Sequence, residues 1–235
     1  MRRSRRISPP PSAIEHRANP RARRVSLRVD AAKRRVLVTR PARVAKARAD
    51  AFLVERADWV RARWAELPPP SPFIEGGEIL FRGAPHLLER PGSRGRPKVV
   101  REDGELILSV PAPEGAFEGR VRRHLRAAAE KTLISRVEIH ADALRVPVAR
   151  VRVKDTATRW GSCAPNGELA FSWRLIGAPP WVLDYVAAHE VAHLRHANHS
   201  SRFWSVVRKL YGDPEPARIW LRENAALLFA LGAQS

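Results

Sequence analysis

The segment His189-Glu190-Val191-Ala192-His193 carries the densest chemistry in the chain. Side chains four residues apart share one face of a helix, so the two imidazoles can converge on a single ion. Zinc accepts such nitrogens at about 2.0–2.1 Å and, in catalytic sites, leaves one position for water. Glu190 then lies beside the metal rather than on it, placed to take a proton from a water whose pKa zinc lowers to about 7. Val182, Leu183, Val186 and Ala187 precede the motif without an intervening Gly or Pro, which predicts a buried helix.

A third ligand has to come from beyond that turn. His196 is seven residues from His189, about 10.5 Å of helical rise, too far for both rings to reach one small ion. His199 follows His193 by six residues, and Asn198 before it is a left-handed helix terminator that turns the chain back towards the metal. The spacing equals that of H-E-x-x-H-x-x-G-x-x-H, although His196 stands where that pattern has glycine. A more distant carboxylate, Glu215 or Glu223, is the alternative. A purely structural zinc would call for four protein ligands, usually with thiolates, and Cys163 is the one cysteine.

These side chains need elements to hold them. Val25, Leu27 and Val29, then Val36 and Val38, alternate with other residues as a strand pair does. Residues 44–67 have helical spacing, ended by the prolines at 68–70. Four short strands follow, at 79–81, 86–88, 99–101 and 106–110, punctuated by Gly and Pro. A long helix over 117–144, a strand at 150–154, a turn-rich stretch and a strand at 168–175 lead to three helices, at 180–195, 200–211 and 215–231. The fold class this predicts is α+β: a flexible basic lead-in over 1–23, a β-rich unit with one helix over 24–115, and an α+β unit over 116–235.

The net charge of +19 is uneven. Residues 1–48 hold 14 Arg and 2 Lys against Glu15 and Asp30. Such an arm can neutralise phosphates and contact nucleic acid non-specifically, though this stretch has no aromatic residue to stack on a base. No apolar run is long enough to cross a bilayer, the N-terminus lacks the apolar stretch of a signal peptide, and a single cysteine suits a reducing compartment; a cytoplasmic protein is expected. Oligomeric state is left open.

Beyond the histidine motif, TRWGSC at 158–163, DYVAAHEVAHLRHANHSSRFW at 184–204 and the apolar helix after them resemble the YgjP-like metallopeptidase family, whose relatives are the SprT-like proteases. The likeness is densest over 150–210 and looser over 20–149. It implies a zincin-type domain, with His189, His193 and His199 as zinc ligands, Glu190 as the catalytic base, and a peptide or protein substrate laid along a sheet edge. The strand at 168–175 is the edge expected to receive it. Arg159, in the signature segment, is placed to stabilise an oxyanion; the alternative is that Trp160 packs in the core and Gly161 makes a turn. Cys163, Phe203 and Trp204 read as structural, and Tyr185 and Tyr211 are the available phenols. Zinc-dependent pyrophosphate cleavage of nucleotides and a DNA-associated protease remain as alternatives to a general peptidase.

Overall fold

The alternating apolar residues after position 25 do make a sheet. In the computed structural model, which describes residues 13–31, 33–156 and 158–233, β2 (Ser26–Asp30) pairs antiparallel with β3 (Arg35–Pro41). On the other side of β3 lies β1 (Ile14–Asn19), parallel to it from Ile14 opposite Val36 to Asn19 opposite Pro41. The flexible lead-in expected over 1–23 is corrected here: residues 1–12 lie outside the described part, but 14–19 are a strand. Its apolar pattern is weak because only Ile14, His16 and Asn19 are partly covered. The helix expected over 44–67 is two helices, α1 (Lys46–Glu55) and α2 (Ala57–Ala65), separated at Arg56, whose φ of −101° and ψ of 14° leave the helical region. No residue type at that point marks the break. Val36, Val60 and Trp64 form the core, with Ile14, Leu27, Val29 and Leu53 packed against it. This is the first of two compact units, which ends at Pro70 and also takes in Ala233.

The second unit, Ser71–Gly232, holds the histidine motif. It begins with a four-stranded sheet of β4 (Glu78–Phe81), β5 (Ala84–Glu89), β6 (Lys98–Glu102) and β7 (Glu105–Ser109), in the order β4-β5-β7-β6. The long helix α3 (Phe117–Leu144) follows, burying Val121, Leu125, Ala129, Leu133 and Val137 at steps of four. A second sheet has β8 (Arg150–Lys154) and β9 (Gly161–Cys163) on either side of β10 (Glu168–Ser172). A 3-10 turn over Trp173–Gly177 then leads into α4 (Pro180–His193), α5 (Ser201–Tyr211) and α6 (Glu215–Ala230). Among the described residues no helix is long and apolar enough to cross a membrane.

The α+β class is as expected, but the boundary is not at 115/116. Ile79, Phe81, Leu88 and Leu108 of the first sheet share one core with α3, β10, α4 and α6. That small sheet has too little apolar surface to close on itself, so its inner face is completed by α3.

Asp184, on α4, ties the motif helix to α3. Its carboxylate accepts hydrogen bonds from Arg136 Nε and His140 Nε2, both at 2.6 Å. Burial pushes the Asp184 carboxyl up, but hydrogen bonds from His140 and Arg136, with the guanidinium charge, outweigh it and hold it below the usual range. A depressed carboxyl stabilises the fold above the unfolded-state pKa of about 3.9 and loses that contribution as pH falls through the folded value. Asp184→Asn is therefore expected to lower unfolding free energy by about 1.5 kcal/mol at pH 7, the low end for hydrogen bonds to a charged group, because the pair is only partly buried. Urea melts of the two proteins should converge below about pH 4. A gap that stays constant with pH would remove the electrostatic explanation.

Candidate active site

Helix α4 presents Tyr185, His189 and His193 at steps of four, on one face. The helix ends at His193, capped by Leu194, two residues earlier than the 195 expected. Asn198 is not left-handed; tight bonds from Leu194, Arg195 and His196 N–H to Val191 and Ala192 carbonyls begin the turn instead. The chain then reverses, and Ser200 caps α5 by accepting the Phe203 N–H. This brings His199 back, so that its Nε2 lies 3.1 Å from His189 Nε2.

Among the described residues, His189, His193 and His199 are the one group of three or more donors able to hold a metal ion, with one nitrogen from each within 4.8 Å of the others. Two nitrogens at about 2.0–2.1 Å from a tetrahedral ion stand about 3.3 Å apart, close to the 3.1 Å between His189 and His199 Nε2. The rings are fixed from behind. His193 Nδ1 donates to the His196 carbonyl at 3.0 Å, and His189 Nδ1 lies 3.3 Å from the Tyr185 hydroxyl. Such partners set the tautomer that leaves Nε2 free for a metal. Burial, then the neighbouring His193, His199 and Arg218, depresses His189 to about 3, so its imidazole is neutral at physiological pH. Burial also lowers His193, with His199 adding to it against the raising effect of the His196 carbonyl. The donor set fits a divalent, borderline-soft cation.

Phe203 is fully buried beneath all three rings, with centroids 4.5–4.9 Å away, and Trp204 stacks on His199. These aromatics are core residues, as expected, and also the floor of the triad. His196 contributes its carbonyl rather than its ring. Glu215 is paired with Arg218, and neither it nor Glu223 belongs to the donor cluster.

Glu190 is 6% exposed, and burial lifts its carboxyl to about 7 against the lowering effect of Arg159. It sits where Gly161 has no side chain: a Cβ there would lie 2.7 Å from the Glu190 Cδ. Gly161 is therefore not a turn residue but the first residue of β9, kept small by the carboxylate above it. Trp160 does pack, stacking on Phe229 at 4.2 Å between centroids. Cys163 is half-buried, and burial with the Glu190 charge pushes its thiol up, the opposite of an activated nucleophile.

The expected receiving edge needs correction. β10 is the middle strand, parallel to β8 and antiparallel to β9, so its backbone is already paired on both sides. The edge beside the triad is β9. A cavity of about 500 Å³ runs between Gly161–Cys163 and the rings of His189, His193 and His199. A second, of about 390 Å³, shares Gly161, His189 and Glu190 and is walled by Arg159, Tyr185 and Arg218. Arg159 thus lines the cleft. Arg218, over the Trp204 ring at 5.1 Å, was not legible in sequence, since nothing local in α6 marks it.

Nitrogen donors on one side, open space on the other and a buried carboxylate between them define a metal-dependent hydrolase rather than a structural metal centre. Residues 23–224 match the YgjP-like metallopeptidase domain, and the chain belongs to that family. No curated protein matches it. A solved structure, the metallopeptidase zymogen of Pyrococcus abyssi abylysin, is 22% identical over 40% of this chain and 94% of its own, with a TM-score of 0.36.

Proposed function

We propose that the protein is a zinc-dependent peptidase in which His189, His193 and His199 hold the metal and Glu190 is the general base. The observation that carries this reading is the convergence of three imidazoles beside a buried carboxylate that burial has lifted to about 7. Zinc bound there would supply Lewis acidity, lowering the pKa of water to about 7 and polarising a carbonyl. Glu190 takes a proton from the attacking water and returns it to the departing amine; a carboxyl titrating near neutrality does both. The β9 edge, Gly161–Cys163, offers backbone groups to an extended peptide, which strand pairing would hold across Glu190. Arg159 stands where it can steady charge developing on the scissile carbonyl.

Zinc that binds only the folded chain raises its stability, by about 2.7 kcal/mol when present at 100 times its dissociation constant. Chelation should lower the melting temperature and abolish peptide cleavage, and zinc should restore both. In His193→Ala, zinc should no longer shift the melt. A melt indifferent to chelator, or cleavage that survives it, would sink the reading. Arg159 and Arg218 in one wall favour a second substrate class, nucleoside triphosphates cleaved at a phosphoanhydride. The same chelator assay with triphosphate in place of peptide decides between them.

A further inference from the structure

A second large cavity has a different chemistry from the histidine cleft. It is a groove of about 940 Å³ within the first unit, between the start of β2 and helices α1 and α2. Val25, Leu27, Val44 and Phe52 supply apolar walls, and Trp59 is 42% exposed at its side. Around them stand Arg23, Arg24, Arg48 and Arg56, with Glu55 as the sole lining carboxylate.

Three of these four guanidiniums have no ion pair among the described residues. The unit's other acids are engaged elsewhere: Asp30 with Arg28, Glu15 with Arg35, Asp50 with Lys46, Asp58 with Arg61 and Glu66 with Arg63. Arg23, Arg24 and Arg48 have no ion pair among the described residues, while Arg56 lies over the Phe52 ring at 5.7 Å. Residues 13–70 hold 13 Arg and 2 Lys against 6 Asp and Glu, so the whole unit attracts anions.

We propose that this groove binds single-stranded nucleic acid, with bases against Phe52 and Trp59 and the phosphates along Arg23, Arg24, Arg48 and Arg56. Aromatic faces lined by arginine are the chemistry that takes unstacked bases without sequence preference. A duplex keeps its bases paired and has no use for the apolar floor. An acidic peptide added to the β2 edge fits less well, because Ser26 and Leu27 are the only β2 residues that reach the groove, too short an edge for strand pairing. The aromatic contribution missing from the basic sequence arm is thus brought in from α1 and α2.

The test is fluorescence anisotropy of labelled oligo-dT with the full chain, in parallel with a labelled polyglutamate peptide and a blunt DNA duplex. Trp59→Ala should weaken oligo-dT binding by about 5- to 150-fold, the range for losing one stacking platform. Arg24→Glu with Arg48→Glu should weaken it further and flatten the slope of log affinity against log salt by about 1.4, two phosphates at about 0.7 each. All three groove positions are exposed, and matching melting curves would show the variants folded. Replacing Arg2, Arg3, Arg5 and Arg6 by Ala should leave the Trp59 effect in place. The proposal is overturned if oligo-dT does not bind, if polyglutamate or duplex binds better, or if the groove variants bind as wild type while the arm variant alone loses affinity.

Discussion

Glu190→Gln is expected to keep its full complement of zinc and its fold while losing about 10²- to 10⁴-fold in kcat, the usual worth of a positioned general base. The amide has the carboxylate's shape, so it fills the same space over Gly161, and Glu190 lies outside the donor cluster. What it loses is the ability to accept a proton. The melting temperature should not fall, because burial already disfavours the charged form of Glu190 and a neutral amide avoids that cost. Metal content by elemental analysis, a melt, and single-turnover cleavage of a peptide separate these effects. Cleavage at the wild-type rate would mean that the proton goes elsewhere, and Glu190 would lose its place in the mechanism.

The parts of the molecule legible in sequence are those fixed by periodicity. Steps of four from Phe117 to Ala141 gave α3, and the spacing of His189, Glu190 and His193 placed their side chains before any fold was known. Return of His199 was legible from spacing, but its means was not: the turn depends on carbonyl bonds at Val191 and Ala192 rather than on a left-handed Asn198. The position of β10 as a central strand could not be read, because pairing depends on β8 and β9, separate segments of the chain with turns between. The role of Tyr185 behind His189 was missed although its signal was present, four residues before the ligand on the same face. Arg218 and the Phe52–Trp59 groove carry no local signal at all, since each is assembled by packing of separate elements.

Gly161→Ala should impair the site through Glu190 without replacing a donor or the base itself. Gly161 lies in a strand with φ outside the left-handed region, so an alanine meets no backbone strain there. The whole cost arises from its methyl group, which would sit 2.5 Å from Glu190 Cγ and 2.7 Å from Cδ. Both are parts of a buried side chain, not a flexible tip in solvent, so either the carboxylate or β9 has to move. A displacement of about 1 Å at the base costs on the order of 10²-fold in rate, and overpacking costs about 1–3 kcal/mol in stability. Zinc binding should survive, because the atoms nearest the added methyl belong to Glu190, which is not one of the three imidazole donors. A double-mutant cycle separates this contact from a general effect on β9. In a Glu190→Ala background the colliding atoms are gone, so the added methyl should then leave the melting temperature nearly unchanged. If Gly161→Ala destabilises equally with and without the Glu190 side chain, the glycine serves the strand and not the carboxylate.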